Sequence, residues 1–524
     1  MNTTHSVALV DSASNMTSRG SASAGSNGKS TVTADTQPSP GFFKRYGLVF
    51  AVAALGIICL MPQLADLSIA GQRMIGIMAF AVITWATGAV SFPVSAGVIM
   101  ALIAVLVGLS PQPDGQGLIG TSKALRMALT GFSSPAFCLV GAALFLAAAM
   151  MQTGLDRRIA LVTLSKIGTS PSRVVLGIIL CGFILSFFVP STTARVACLV
   201  PIVTGMVRAF GLPLKSAFGA MLLITVAQVD SVWNVGIKTA AAQNMVAVGF
   251  IQELTGHDIS WLDWFVAAAP FAALMSVVLY VVITRLFKGS LEDISGGDDA
   301  VRRELAKLGP MSAAEWKLTV VSLVLLFMWV TEKKLHPFDT TTTTVCAIAL
   351  LMLPSMGVMD WKSVVNRINW GTLLVFGVGI SLGSTLLSTH AAQWLAEGIG
   401  SSFGLADQTT TFVVVAVLAL FLIIIHLGFA SAAALSSALI PIIIALVNGL
   451  DAPNVNVLGI TMILQYVISF GFILPVNAPQ NLIAYSTGAF DVKTFAFTGI
   501  ILTIAAYLLI LLMSATYWSW MGLV

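Results

Sequence analysis

The chain has 524 residues, of which 57% are hydrophobic and 9% charged, with a formal net charge of +4 and a mean hydropathy of +0.95. A soluble fold of this length carries roughly a quarter charged residues, so a soluble domain is excluded and a polytopic membrane protein is implied. The small net charge gives no sign of a nucleic-acid partner, because in a membrane protein the placement of Lys and Arg matters more than their sum.

Residues 1–41 are rich in Ser, Thr, Gly and Asn and hold no apolar h-region, which predicts a disordered cytoplasmic tail rather than a secretory signal. From Phe43-Lys44-Arg45 onward apolar segments follow one another, with crossings expected near 46–62, 73–89, 93–109, 134–154, 216–250, 261–286, 317–335, 339–356, 372–395, 455–487 and 493–517. Two further stretches, 174–207 and 408–450, are too long for one crossing. Each is broken near its midpoint, at Pro190-Ser191-Thr192-Thr193 and at Gly428-Phe429-Ala430-Ser431. Each half is long enough to reach the middle of a bilayer at about 1.5 Å per residue, so each stretch reads as a re-entrant helical hairpin.

The expected fold class is therefore an all-α polytopic membrane protein with about 11 transmembrane helices in two inverted repeats. Residues 42–286 form the first repeat, 287–316 a cytoplasmic linker and 317–524 the second repeat. This count places the N-terminus in the cytoplasm and the C-terminus outside, in a cell inner membrane. The loops expected inside hold Arg157, Arg158, Arg173, Arg302 and Arg303, whereas those expected outside at 251–262, 396–410 and 449–454 hold no Lys or Arg, as the positive-inside rule asks. Arg73, Lys123, Arg126, Lys333 and Lys334 run against it. The five cysteines, Cys59, Cys138, Cys181, Cys198 and Cys346, all fall in apolar segments and read as packing residues rather than disulfide partners.

The repeat is visible in the residues themselves. Ser191 to Pro201 reads STTARVACLVP and Ser431 to Pro441 reads SAAALSSALIP, sharing serine, alanine, leucine and proline at the same spacing. Downstream, AAAQNMVA at 240–247 pairs with NAPQNLIA at 477–484, and upstream Gly141, Leu146 and Thr153 pair with Gly377, Leu382 and Thr389. Inverted repeats with broken helices are the architecture of secondary transporters whose substrate sits between the repeats.

Irregular backbone at membrane depth survives only where it is buried in protein or lines a wet cavity, so each break is a candidate site. The second arm of each hairpin starts at about Thr192 or Ala432, and the positive end of its dipole attracts anions. Ser191, Thr192 and Thr193 add hydroxyls and Arg195, one turn on, adds a fixed charge, a set suited to a carboxylate. The second tip offers Ser431 followed by Ala432, Ala433 and Ala434, so charge recognition is expected to be lopsided. Asn244, Asn477, Pro479 and Asn481 complete the candidate substrate site. Asp230 and Lys238 are expected to pair with each other or to lie at the cavity edge. His426 precedes the second break, and a lone histidine in an apolar arm reads as ordinarily hydrogen-bonded, outside the site.

At PSTTARVACLVPI, FASAAALSSALIPI, PVNAPQNLI and NWGTLLVFGVGISLGSTLLSTHAAQWLA the chain resembles the divalent anion:sodium symporter family, in its citrate/succinate exchanger and 2-oxoglutarate/malate translocator branch. The resemblance runs from about residue 46 to the end and implies an eleven-helix elevator transporter of small organic anions, working as a homodimer in a lipid bilayer. The family's tip motif is Ser-Asn-Thr, which contacts carboxylates and helps bind sodium. Here both asparagines are missing, which leaves at most a residual sodium site near Ser191, Thr192 and Ala240. Arg195 matches the basic residue of the exchanger branch, and Leu435 stands where that branch has histidine.

The function expected is transport of di- or tricarboxylates by anion exchange, with no cofactor unless sodium takes part. Sodium-coupled symport of dicarboxylates or sulfonates is the alternative, and an ion antiporter or channel of related architecture the alternative class. A membrane enzyme is not expected, since no Ser/His/Asp set, HExxH motif or Cys/His cluster lies at a membrane surface.

Overall fold

Backbone amides inside a hydrocarbon layer have no water to bond, so so apolar a chain satisfies them within helices. The computed structural model describes residues 42–112, 117–168, 170–290, 297–403, 410–449 and 456–524, and every regular element among them is helical. The tail expected at 1–41 lies outside the described residues.

The first half runs through α1 (Phe42–Leu60), α2 (Ile69–Thr87), α3 (Phe92–Leu102), the short α4 (Thr121–Leu129), α5 (Pro135–Thr153) and α6 (Leu155–Ile167). A hairpin of α7 (Pro171–Phe188) and α8 (Thr192–Ala209) follows, then α9 (Ala217–Gly236), α10 (Ala242–Thr255) and α11 (Trp261–Leu286). After α12 (Gly297–Leu308) come α13 (Ala313–Val330), α14 (Thr340–Met352), the single turn α15 (Trp361–Val364), α16 (Trp370–Ser388) and α17 (Ala391–Ser402). The second hairpin is α18 (Thr411–His426) and α19 (Ala432–Asn448), followed by α20 (Val457–Ile468), α21 (Pro479–Tyr485) and α22 (Val492–Ala515). Each expected crossing has its helix, with α9–α10 and α20–α21 as broken ones. Among the described residues nine helices are long and apolar enough to cross a membrane alone, and two of these, α7 and α8, are hairpin arms.

Local chemistry sets the ends. Ser134 caps α5 by accepting from Phe137 N, Pro135 sits in the first turn where its missing N–H costs nothing, and Gly154 ends the helix at φ 74°, a left-handed conformation that glycine adopts without strain. The repeat recurs in the backbone. The cap residues of the returning arms have nearly the same dihedrals, Ser191 at φ −147°, ψ 111° and Ser431 at φ −153°, ψ 117°. The residues that restart the broken helices agree as well, Ala241 at φ −146°, ψ 141° and Ala478 at φ −149°, ψ 140°.

The broken helices α9 and α20 and the returning arm α19 lie deepest in the molecule. Every residue of α9 from Phe218 to Gly236 is buried, whereas α13 and α22 expose Val320, Phe327, Ile504 and Leu508, as helices facing lipid do. Glycines let α16 approach the second hairpin closely: a Cβ on Gly379 would lie 2.2 Å from Ser437 Oγ, and one on Gly383 would lie 2.4 Å from the Phe250 ring and 2.5 Å from Pro441. Arg158 clamps Glu315 at 2.6 Å and 3.2 Å, tying α6 to the start of α13. The five cysteines are free.

Candidate functional site

Four helices begin around one partly open space. A cavity of about 120 Å³ lies between the tips of the two hairpins, bordered by Ser191, Thr192 and Thr193 of α8, Ala242 and Gln243 of α10, Ser431, Ala432 and Ala433 of α19, and Ala478, Pro479 and Gln480 of α21. Phe92, Leu144, Asn369 and Thr372, from α3, α5 and α16, also border it. One water needs roughly 10–15 Å³ of such volume, so the space suits a small solute. The first N–H groups of each helix have no intrahelical acceptor, and four positive dipole ends converge on a wall of hydroxyls and amides. A larger cavity, about 780 Å³, lies on another face of α8 against α6 and α12, and the hairpin tips do not border it.

The first tip is held by a buried ion pair. Arg195, with no exposed surface, donates from Nε to Asp230 Oδ1 at 2.6 Å, from Nη1 to the carbonyls of Val189 at 2.8 Å and Ala240 at 3.0 Å, and from Nη2 to Asn234 Oδ1 at 2.8 Å. The guanidinium stitches the tip of the hairpin to the break in α9–α10 and presents no charge to the cavity. Asp230 therefore pairs with Arg195 and not with Lys238, whose Nζ donates to Ile259 O at 2.6 Å. Eight residues along an interrupted helix do not bring the two side chains together, and α8 supplies the nearer cation.

The second tip is held by an amide in the equivalent place. Asn477 Nδ2 donates to the carbonyls of His426 at 2.9 Å and Phe429 at 3.1 Å, and Phe429 stands in the second half where Val189 stands in the first. Asn244 and Asn481 do one job in both halves. Asn244 Nδ2 donates to Asn234 O at 2.6 Å and Ile237 O at 3.1 Å, and Asn481 Nδ2 donates to Gly471 O at 2.7 Å and Leu474 O at 3.4 Å. Of the residues nominated from sequence, Ser191, Thr192, Thr193, Ser431 and Pro479 thus border the cavity, while Arg195, Asn244, Asn477 and Asn481 brace its walls from behind.

Asn234, Gln243, Asn369, Thr372, His426, Ser469 and Gln480 also border the cavity and were not among the residues nominated. Gln243 Nε2 donates to Ser469 Oγ and Gln480 Nε2 donates to Ser231 Oγ, each at 3.3 Å, so each half reaches into the other. The shared Gln-Asn pairs, Gln243-Asn244 and Gln480-Asn481, carry that signal in the sequence. His426 also lines the cavity, 3% exposed, and neither ring nitrogen has a hydrogen-bond partner among the described residues. That departs from the ordinary hydrogen-bonded histidine expected there.

Each group nominated for sodium has a partner within the protein. Ala240 O accepts from Arg195, Thr192 Oγ1 is committed to Asn234 Oδ1 at 2.9 Å, and Ser191 Oγ accepts from Ala194 N and lies 3.1 Å from Thr193 Oγ1. Ala432 and Ala433 bring no side-chain oxygen to the other tip.

Residues 44–524 match the family described as the sodium:sulfate symporter transmembrane region. The chain is 52% identical to a membrane protein of Cupriavidus necator, over 93% of this chain and 94% of that one. It is 25% identical to a sodium-dependent dicarboxylate transporter of Staphylococcus saprophyticus, covering 89% and 90% of the two chains. It is 26% identical to a citrate/succinate antiporter of Escherichia coli, covering 71% and 76%. Among solved structures it is similar to the YdaH transporter of Alcanivorax borkumensis, with a TM-score of 0.53 and 14% identity over 82% of this chain and 97% of the other, a likeness of fold alone.

Proposed function

This chain belongs to the family of the sodium:sulfate symporter transmembrane region, a multi-pass membrane transporter and not an enzyme, and on that premise we propose that it exchanges small organic dianions, di- or tricarboxylates, across the inner membrane. The observation that carries the reading is the convergence of four helix N-termini on one cavity that no carboxylate borders among the described residues. Such an array favours negative charge. Ser191, Thr192, Thr193 and Ser431 supply hydroxyl donors, and Gln243 and Gln480 supply amides.

Exchange rather than sodium symport is supported by Arg195. Its guanidinium engages the carbonyls of Val189 and Ala240, the second of which was nominated for sodium, and the first tip thus carries a fixed cation, balanced by Asp230. The moving part in an elevator-type cycle is the two hairpins with α9–α11 and α20–α22. Glycines at 379 and 383 support this, since they keep the face of α16 low where α19 and α10 would slide past it.

The test is uptake of labelled succinate and citrate into vesicles holding the purified full chain. Preloading with unlabelled anion is expected to accelerate uptake strongly, and replacing sodium by choline to change it little. Steep sodium dependence without stimulation by preloading overturns exchange, and absence of saturable uptake of any organic dianion overturns the substrate class.

A further inference from the structure

The cavity between the hairpin tips has His426 on its wall. Of its described lining residues, which are otherwise serines, threonines, amides, glycine, proline and apolar side chains, only His426 has a side chain that can change charge by taking up a proton. We propose that His426 is the charge-bearing contact for the transported anion on the second-hairpin side, and that it takes up a proton as the anion enters, so that each dianion travels with one proton. The inference rests on the anion-transport reading above and adds to it a residue and a co-transported ion.

Three features argue for this role. The ring is 3% exposed and both nitrogens lack a partner among the described residues, although a buried ring N–H is costly to leave unpaired. A carboxylate in the cavity supplies the missing acceptor. His426 is the last residue of α18, where the unsatisfied carbonyls of a helix end favour a cation. The second tip also has alanines at 432 and 433 and a leucine at 435, so among the described lining residues no other group there can meet a second carboxylate with a positive charge.

The surroundings hold no competing charge. α19 and α21 bring Ser431 and Gln480 to the same cavity, and the loop after α20 brings Ser469. Asn477 meets His426 at its backbone carbonyl and leaves the ring unbonded. Of the titratable groups on α20 and α22, Tyr466 packs against Trp264 and Trp518, Tyr507 donates to Ala416 O, well up α18, and Lys493 is exposed at the start of α22. Across the cavity Arg195 and Asp230 neutralise each other behind the first tip. An anion bound beside the imidazole favours its protonated form, so the proton enters from solvent with the anion and leaves with it on the other side.

Fumarate, fully ionised near neutrality, is the probe. In exchange by vesicles of the full chain, the wild-type KM is expected to rise at least about fivefold between about pH 6 and about pH 8, and the KM of H426Q to vary by less than about twofold. Calorimetry of fumarate binding in two buffers of different ionisation enthalpy is expected to show about one proton taken up per wild-type site and none in H426Q. A wild type that exchanges fumarate with the same pH profile as H426Q overturns the role of His426 and leaves the transport reading intact. If H426Q is inactive or misfolded, the wild-type calorimetry decides, and no proton uptake overturns the proposal. A wild type that neither binds nor exchanges any organic dianion overturns the transport reading and this inference with it.

Discussion

The two hairpin tips share a backbone and differ in how they are held. At the first, a buried guanidinium spans from Val189 O to Ala240 O and is balanced by Asp230. At the second, a neutral amide, Asn477, reaches Phe429 O, and leucine occupies the position of the arginine. One geometry is thus reached by a charged brace and by an uncharged one. The charged brace is the more fragile, because each partner depends on the other for its solvation. The second tip can spare the charge, and among the described residues it brings the imidazole of His426 to the cavity.

The largest effect is expected from breaking the first brace. Arg195→Ala leaves Asp230 buried without its partner and is expected to cost about 3–5 kcal/mol, whereas the double variant R195M/D230L should recover much of that loss, since apolar replacements of a buried pair are often tolerated. Thermal unfolding of the purified full chain reads both. If R195A unfolds like the wild type, the pair is not the brace.

Next comes the neutral counterpart. Asn477→Ala removes the donor to His426 O and Phe429 O and should cost about 1–3 kcal/mol, the penalty of unpaired buried carbonyls. A loss equal to or above that of R195A, measured the same way, would reverse the ranking of the two tips.

The smallest effects test what the tips have in common. Ser191 and Ser431 cap their helices in the same way, accepting from Ala194 N at 3.4 Å and Ala434 N at 3.3 Å. S191A and S431A are each expected to cost about 1 kcal/mol. Unequal melting shifts would show that one serine is held by more than its cap.

The sequence alone was enough for the membrane spans, the two breaks and the repeat, because these rest on local quantities. A span needs a run of apolar residues, a break needs residues that interrupt the run, and a repeat needs only the chain compared with itself. Thr192 and Ala432 begin their helices where the sequence placed them. Only the tertiary structure decided which side chains face the cavity. In a membrane protein lipid and protein interior are both apolar, so hydrophobic periodicity does not mark the inward face, and α9, buried all round, has no stripe to read. Arg195 meets Asp230 from a different helix, 35 positions along the chain, and His426 opens onto the cavity while Arg195 is turned away from it. Such outcomes follow from how helices rotate and pack against one another, and a pairing across that distance depends on the whole assembled core.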